Sequence, residues 1–388
     1  MSNQLEAIVP KILARGMLSF REHAFMPRLV NADFSAEAAQ KGDAISVMIP
    51  GEVTVEDVVP NQTPPDAPDT TAQTKTLKLD RWKKVAFHLS DKDMMQIDAD
   101  RHFIPFQMQE AITALAAEVN KSFFEQIIYA QNTLYDKDGK FFSTDPNQHS
   151  HNFSGVKPIL ALRKMLNEHK APKSGRFGIL GFDEEAELLN LPQFSDVEKS
   201  GETAVKREGE IGRKYGFDWF SSDQLHRHTA STTDTFNPSS THHAQAQQMT
   251  IRNINTKPIP GDIIISNAND GIATVLNVER TISSQSYVLN LATPIIVGVS
   301  SSAVLKMAQP TTNNLVCHRD AFAFAMRPLA SATEQMGLGN RILSVTDPET
   351  GLSLRLEISR QYKRTLWEFD VLWGVEMVRP EWAIRMIF

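Results

Sequence analysis

The chain has 388 residues, of which 41% are hydrophobic and 22% charged, so about two or three folded domains are expected and a disordered chain is excluded. Its formal net charge of -6 argues against a protein that is held on nucleic acid by bulk positive charge. The single cysteine, Cys317, excludes intrachain disulfides and cysteine-rich metal sites, so we expect stability from packing or assembly in a reducing cytosol.

The N-terminal region, residues 5–30, predicts a short helical arm that Pro10 and Pro27 interrupt. Its apolar residues recur at helical spacing: Leu5, Ile8, Val9, Ile12 and Leu13. An arm of this size cannot bury its own apolar face, so we expect it to pack on another element or a neighbouring subunit. Charged residues lie among the first apolar ones, which is not the layout of a signal peptide, and no export is expected.

The next region predicts a projecting hairpin, with one strand at 44–49 and a second at 74–89. Between them lies an acidic, proline-rich passage that cannot be regular structure. A loop this long is usually functional. The charged residues that we expect to contact a neighbouring subunit are Glu52, Glu56 and Asp57 at the tip and Arg81, Lys83 and Lys84 on the second strand. Trp82 beside the lysines would also suit nucleic acid, but complementary charge favours a protein partner at least as well.

The clearest helix follows Pro105 and runs to about Ala130, which makes it roughly 37 Å long and a scaffold element. Residues 135–154 are expected to be a loop. Further helices are predicted at 156–169 and 183–191. Asp183 is the expected cap of the last one, and the acidic residues after it are explained by the helix dipole without a catalytic role.

Residues 230–310 change to a composition of Ser, Thr, Asn, Gln, Val and Ile, which predicts a separate small β domain. The uncharged stretch 281–305 is long enough to cross a bilayer, at about 20 residues needed. Its serines, Asn290 and Pro294 interrupt it, however, and the β-branched remainder favours strands.

The C-terminal part predicts a helix at 320–326, a turn at 347–351 and an alternating strand at 352–359. A long strand then follows. One face of it is apolar and is expected to be buried: Trp367, Phe369, Val371, Trp373, Val375 and Met377. The other face is expected to be exposed to solvent: Glu368, Asp370 and Glu376.

Residue types that carry catalysis are present only in weak patterns. Cys317 and His318 are adjacent, but neighbours on a strand point to opposite faces, which argues against a nucleophilic dyad. Three histidine pairs lack a further zinc ligand at suitable spacing and are interpreted as solvated loop residues: His149 with His151, His226 with His228, and His242 with His243. No glycine-rich nucleotide motif or hydrolase motif is present. The sequence therefore predicts no catalytic, cofactor or metal site.

Two stretches carry a resemblance to a known family, Asn314–Leu329 and the longer and more distinctive Gly351–Met386. They are similar to the major capsid (coat) proteins of tailed bacteriophages, in the subgroup with an inserted β-barrel domain that is typified by a short-tailed Salmonella phage. The N-terminal half resembles that family in the order of its predicted elements more than in its individual residues.

The resemblance implies an α+β fold of the Hong Kong 97 type. Its expected parts are an N-terminal arm (1–40), an extended loop (41–90), a spine helix with the peripheral domain and the first part of the axial domain (91–229), an inserted small antiparallel β-barrel (230–310), and the remainder of the axial and peripheral domains (311–388). The spine helix itself is expected at about 106–130.

The same resemblance implies a shell protein that is made in the host cytoplasm and functions in the virion. Pentamers and hexamers would close around double-stranded DNA without sequence-specific binding, membrane or cofactor. A separate scaffolding protein and a portal are expected partners, the former because the segment before Gly42 is short. An inner shell surface that is not strongly basic would not bind the phosphates of the packaged DNA. The alternatives are a cellular encapsulating shell of the same fold and, more remotely, a hydrolase using Cys317 and His318.

Overall fold

The fold is given by a computed structural model. It describes residues 4–32, 44–49, 73–92, 106–135, 156–195, 211–266, 271–283, 285–292, 295, 298–308, 311–327, 341–347 and 350–387. The predicted hairpin tip and residues 136–154 of the predicted loop at 135–154 lie outside these residues, and Tyr135 ends a strand.

Helices and strands are both abundant, which confirms the predicted α+β class. The helices are α1 Gln4–His23, α2 Met26–Leu29, α3 Phe106–Glu125, α4 Lys157–Glu168, α5 Phe182–Asn190 and α6 Pro192–Ser195. Short 3-10 turns are Gln126–Tyr129, Arg319–Ala321 and Pro380–Trp382. The strands are β1 Ala44–Ile49, β2 Gln73–Lys78, β3 Arg81–Ser90, β4 Asn132–Tyr135, β5 Arg176–Leu180, β6 Arg213–Lys214, β7 Phe217–Ser221, β8 Arg227–His228, β9 Asn237–Pro238, β10 Gln248–Arg252, β11 Ile263–Ser266, β12 Gly271–Ser283, β13 Ser286–Leu291, β14 Leu305–Met307, β15 Thr311–Thr312, β16 Asn314–His318, β17 Phe322–Met326, β18 Arg341–Thr346, β19 Ser353–Gln361, β20 Arg364–Met377 and β21 Ala383–Ile387.

The chain forms two compact units. Unit 1 comprises Met1–His23, Asn31–Leu115 and Phe322–Val378. Unit 2 comprises Ala24–Val30, Ala116–Ala321 and Arg379–Phe388. The five-part division expected from the sequence stays a prediction.

Unit 1 is built around the long strand β20. One edge of β20 pairs first with β3 and then with β17, and its other edge pairs with β19, which is followed by β18. Helix α1 packs on β18 and β19, where Gly16 lies close to Leu354 and Arg21 lies 3.6 Å from Asp347. The described apolar residues of this helix are therefore buried within the chain itself: Ile12, Leu13, Met17 and Phe20.

The stem of the predicted hairpin is formed by β1 and β2, which are antiparallel from Ala44 opposite Lys78 to Ile49 opposite Gln73. Its apolar residues join one cluster with the sheet: Ile45, Val47, Leu77, Leu79, Ala323, Ala325, Leu372 and Val378. This packing seats the stem on the far end of β20. The backbone of Lys78 comes so close to Gly374 that a side chain there would overlap it.

Unit 2 contains a six-stranded sheet in the order β4-β21-β16-β5-β7-β6. Helix α4 buries Leu162 and Leu166 in the same apolar cluster as Phe217 and Ile384 of this sheet. The buried strands β5 and β21 have no exposed residue, as expected of strands covered on both faces.

A second sheet of unit 2 is in the predicted β region, with the order β14-β11-β12-β13-β10-β9. Its two edges are joined because Phe236 and Leu305 exchange backbone hydrogen bonds of 2.9 and 2.8 Å. The sheet thus closes on itself around an apolar cluster that includes Met249, Ile264 and Leu289. The stretch 281–305 contributes strands here, and among the described residues no helix is both long and apolar enough to cross a membrane.

Three local predictions are wrong. Residues 320–326 form a short 3-10 turn and then β17, because an unbroken apolar run can be buried on both faces of a sheet. The predicted strand 74–89 is divided into β2 and β3, which belong to different pairings. Helix α5 is capped by Gly181 with no side-chain hydrogen bond, and Asp183 lies in its first turn.

Two further predictions, on the prolines of the arm and on the exposed face of β20, differ from the structure in detail. Pro10 does not interrupt α1, and Pro27 lies at the start of α2, where its missing N–H costs little. The face of β20 that was expected to be exposed to solvent is largely buried, since Asp370 is only 3% exposed and Leu372 only 7%. The stem of the hairpin covers the end with Leu372, and a polar cluster covers the middle.

Candidate assembly surface

The polar cluster lies on one face of the unit 1 sheet. Register brings Lys84 of β3, Asp370 of β20 and Arg355 of β19 into one row across the strands. The next row holds Glu368 and Glu357 opposite each other. All these side chains share a face because residues two apart on a strand point the same way.

Short contacts connect the two rows. Lys84 Nζ lies 2.9 Å from Glu368 Oε1, and Arg355 Nη2 donates to Glu357 Oε2 at 2.9 Å. Arg355 Nε also lies 3.2 Å from Asp370 Oδ1, a charge contact without hydrogen-bond alignment. Trp82 Nε1 donates to Asp370 Oδ2 at 3.0 Å, although the residue as a whole is 60% exposed. The charges of this cluster are therefore compensated mainly by one another.

The electrostatics follow from burial. Burial raises the pKa of Asp370, and the hydrogen bond from Trp82 and the charge of Arg355 oppose that rise. The pKa of the exposed Lys84 is raised, chiefly by its hydrogen bond to Glu368. The cluster thus places basic and acidic side chains in contact on one face of the sheet.

A surface groove of about 370 Å³ lies over this cluster. Its lining residues are Trp82, Lys83, Lys84, Arg355, Glu357 and Glu368. Trp82 is 60% exposed there, whereas only 15% of the Arg355 side chain is exposed. Exposed tryptophan is among the residue types that contribute most to protein interfaces.

The structure describes three of the six predicted contact residues. Arg81, Lys83 and Lys84 all lie on β3, and Lys83 and Lys84 line the groove. The tip residues Glu52, Glu56 and Asp57 lie outside the described residues.

Sequence reasoning missed the residues of β19 and β20 in this cluster. A signal was present, because Tyr362 and Lys363 separate two alternating strands and a two-residue turn there sets the register. That register places Arg355 opposite Asp370 and Glu357 opposite Glu368.

The Cys317 and His318 pair does not form a nucleophilic site. Cys317 is fully buried, and burial raises the pKa of its thiol well above the ordinary value, which disfavours a reactive thiolate. The His318 ring packs edge-on against Trp382, and its Nδ1 accepts a hydrogen bond from the backbone N–H of Asp320. These contacts give His318 a structural role.

The interpretation of the histidine pairs as solvated is wrong for His228. This residue is 8% exposed, and its Nε2 lies 2.9 Å from Asp262 Oδ1. The sequence could not show this partner because Asp262 is distant along the chain. His226 lies beside it with 6.1 Å between ring centroids. His149 and His151 lie outside the described residues, among which no group of three metal-ligating side chains occurs.

Acidification is expected to destabilise the protein through His226 and His318. Burial lowers the pKa of both imidazoles from 6.5, so the unfolded chain binds protons first as the pH falls. Stability is thus full above pH 6.5 and decreases as the pH falls through 6.5 towards the lowered pKa values. Urea unfolding at pH 7.5 and below measures this, with pH chosen at about half-unit steps.

The control for this prediction is the exposed His243. Replacing His226 and His318 by Gln should flatten the pH dependence, and His243→Gln should leave it unchanged. An unaltered dependence in the double variant would contradict the assignment.

Comparison with known proteins gives structural neighbours only. No family model and no curated protein matches the chain. Among solved structures, one from Mycobacterium phage Che8 is 14% identical over 93% of this chain and 90% of the other, with a TM-score of 0.48. The capsid structure of Cyanophage P-SCSP1u is 13% identical over 89% and 84%, with a TM-score of 0.48.

A further neighbour is a virus-like particle from Pyrococcus furiosus, 9% identical over 97% of this chain and 98% of the other, with a TM-score of 0.41. With TM-scores below 0.5 and such low identities, these similarities assign no residue roles or activity to this chain. The neighbours include capsid structures of phages, the class of protein that the sequence resemblance names.

Proposed function

We propose that this chain is the major capsid protein of a tailed phage and self-assembles into an icosahedral shell of the Hong Kong 97 type. The observation that carries the proposal is where the stretch Gly351–Met386 lies. It supplies β19, β20 and β21, and β20 and β21 are inner strands of the main sheets of the two units. The resemblance to phage coat proteins therefore concerns the centre of each unit.

The proposed parts keep the ranges expected from the sequence. The N-terminal arm is 1–40, the extended loop 41–90, the spine helix with the peripheral and first axial parts 91–229, the inserted β domain 230–310, and the remaining axial and peripheral parts 311–388. The packing of the β1–β2 stem on the sheet supports the second of these, since a loop on a fixed stem can reach towards a neighbouring subunit.

The proposed assembly is a set of pentamers and hexamers that enclose double-stranded DNA in the virion. A scaffolding protein and a portal are its proposed partners, and synthesis takes place in the host bacterial cytoplasm. The net charge of -6 supports enclosure without direct binding, because phosphate would be held by a basic wall. No catalytic step is proposed, as the buried Cys317 thiol supports none.

Electron microscopy of the purified protein, expressed with and without the neighbouring phage genes, tests the proposal. Closed particles of uniform size that contain DNA or scaffolding protein are expected. Particles that contain an enzyme would favour the cellular encapsulating shell. A stable small oligomer under all conditions would overturn the proposal, and activity lost in Cys317→Ser would favour the hydrolase.

We also propose that Arg81, Lys83 and Lys84 contact Glu52, Glu56 and Asp57 of a neighbouring subunit. Lys83→Glu with Lys84→Glu is then expected to abolish assembly while leaving the monomer folded, because both side chains are exposed. Sedimentation measures assembly, and circular dichroism measures folding.

The structure adds a control to this test. Lys84 already bonds Glu368 within its sheet, so Lys84→Glu alone also removes an internal pair, whereas Lys83→Glu tests the contact more directly. Lys173→Glu with Lys257→Glu changes the net charge equally at exposed positions elsewhere. Normal particles from the Lys83 and Lys84 variant would refute this contact.

A further inference from the structure

The turn between β19 and β20 forms an exposed cationic tip at one end of the unit 1 sheet. Tyr362 at this turn is 85% exposed, and Lys363 Nζ lies 5.2 Å from its ring centroid. The backbone of Lys363 has a φ of 54° and accepts a hydrogen bond from the N–H of Asp91. Arg364 Nε donates to Gln361 Oε1 at 2.7 Å. These contacts connect the turn to the end of β3 and to its own flanking strands.

The charges at this tip are not balanced among the described residues. Asp91 forms two hydrogen bonds with Arg360, one of them 2.8 Å from Nη2 to Oδ2, and this pairing lowers the pKa of Asp91 and raises that of Arg360. Lys92, Lys363 and Arg364 remain exposed beside this pair. The tip, which we define as residues 360–364 with Asp91 and Lys92, thus differs from the groove, where carboxylates compensate the cations.

The same chain contains a segment with the opposite charge. Residues 51–72 hold Glu52, Glu56, Asp57, Asp66 and Asp69 and no lysine or arginine. The segment also contains Pro60, Pro64, Pro65 and Pro68, and proline fixes its own φ angle, which reduces the entropy lost on binding. We propose that the cationic tip binds residues 51–72 of a second copy of this chain. This inference rests on the proposed self-assembly and names one of its contacts.

Covalent geometry shows why a second copy is needed. Lys75 Nζ donates to the carbonyl of Met377, and Lys78 lies against Gly374, so the stem leaves the sheet at the Met377 end of β20. The tip is at the other end, and the thirteen steps from Arg364 to Met377 span about 43 Å. Asp57 is eight residues beyond Ile49, a span of at most about 28 Å. The acidic residues of one chain therefore cannot reach its own tip.

An exposed tyrosine with cations would also suit a nucleic-acid backbone. The acidic segment is favoured for two reasons. The chain carries a net charge of -6, which repels a polyanion at long range. In an assembly every tip also has one segment of the right charge at equal copy number.

The first test measures binding of a fluorescent peptide of residues 51–72 to the full-length protein by anisotropy. Lys363→Glu with Arg364→Glu should weaken binding about tenfold or more, because two attractive contacts become repulsive. Lys173→Glu with Lys257→Glu should bind as the unchanged protein does. If the charge reversal impairs folding, the milder variant Lys363→Gln with Arg364→Gln tests the same contact. Equal binding by all variants, or no peptide binding, would overturn the proposal.

The second test uses assembly of the full chain with a charge exchange. Lys363→Glu with Arg364→Glu should reduce particle yield, and Asp66→Lys with Asp69→Lys, two carboxylates that the proposed contact with Arg81, Lys83 and Lys84 does not use, should do the same. All four changes together should restore it. Failure of the combination to restore yield would overturn the tip contact, and a duplex DNA oligomer that binds in a tip-dependent way would point to nucleic acid as the partner instead. Absence of particles from the unchanged chain in every condition would instead count against the proposed function.

Discussion

Replacing Gly374 by alanine is expected to destabilise unit 1 by about 3 kcal/mol or more, because the new side chain has no space. A Cβ at this position would overlap the carbonyl oxygen of Lys78 and would lie 2.8 Å from its carbonyl carbon and 3.3 Å from Leu79 Cα. All three are backbone atoms, so relief requires that β20 or the whole β1–β2 stem move. The apolar cluster beneath the stem would then lose part of its packing.

Urea unfolding of the purified variant measures this effect, and a large loss of soluble yield is expected with it. Gly298→Ala is the matched control, since the nearest atom to its Cβ would be the His242 carbonyl oxygen at 3.4 Å, an ordinary contact. That control should change the free energy of unfolding by less than about 1 kcal/mol. If Gly374→Ala unfolds like the control, the close approach of the stem to β20 is wrong.

Local elements of this fold can be predicted where one periodicity dominates the sequence. Helix α3 follows from a long 3.6-residue repeat, and its observed end at Glu125 is extended by a 3-10 turn towards the predicted end. Strand β19 follows from strict alternation, and strand β1 from a short β-branched run. In each case burial of one face requires apolar residues at a regular spacing, and that spacing is visible in the sequence.

Pairings between distant strands cannot be predicted in this way. Strand β3 pairs with β20 although more than 270 residues separate them, and nothing local to Arg81–Ser90 indicates that partner. The same limit explains β17, whose buried apolar run shows no alternation and so favours a helix when the sequence is considered alone. It also explains Asp370, for which the sequence predicts a solvated carboxylate because its covering residue, Trp82, lies far away along the chain.

Long-range pairing also determines the candidate site. The cationic residues of β3 can be selected from the sequence. The pairing of Lys84 with Glu368, and of Arg355 with Glu357 and Asp370, depends on register across three strands. The sequence does not predict the cationic tip because its charges come from two distant segments, Asp91–Lys92 and 360–364, that meet only at the sheet end.

Buried polar contacts in unit 2 depend on long-range pairing as well. Arg385 lies on the inner strand β21, opposite Leu315, and is 1% exposed. Its Nε donates to Asn313 Oδ1 at 2.8 Å and its Nη1 to the Gly261 carbonyl at 2.6 Å. The charge of Asp262, which also lies beside His228, faces it. Burial lowers the pKa of Arg385 to about 9, so the guanidinium remains charged at neutral pH and requires these partners.

Arg385→Leu is therefore expected to destabilise unit 2 by about 3–5 kcal/mol, because it removes one partner of a buried charged cluster. The oxygens of Asn313 and Gly261 would lose their donor, and Asp262 would be left buried without its cation. Urea unfolding followed by circular dichroism measures the loss. Arg213→Leu is the control in the same unit, since that side chain is 61% exposed and its contact with Asp218 is 3.7 Å long. It should change stability by less than about 1 kcal/mol.

A double-mutant cycle separates charge from packing in this cluster. If the buried carboxylate is what makes the loss of Arg385 costly, Asp262→Asn combined with Arg385→Leu should cost less than the sum of the two single changes, by about 1–3 kcal/mol. The amide oxygen that Asp262→Asn introduces can still accept one of the two backbone N–H groups, of Ser231 and Ile259, that donate to the carboxylate in the unchanged chain. Additive losses would show that Arg385 is not coupled to Asp262 and stabilises unit 2 through its packing and its hydrogen bonds to Asn313 and Gly261.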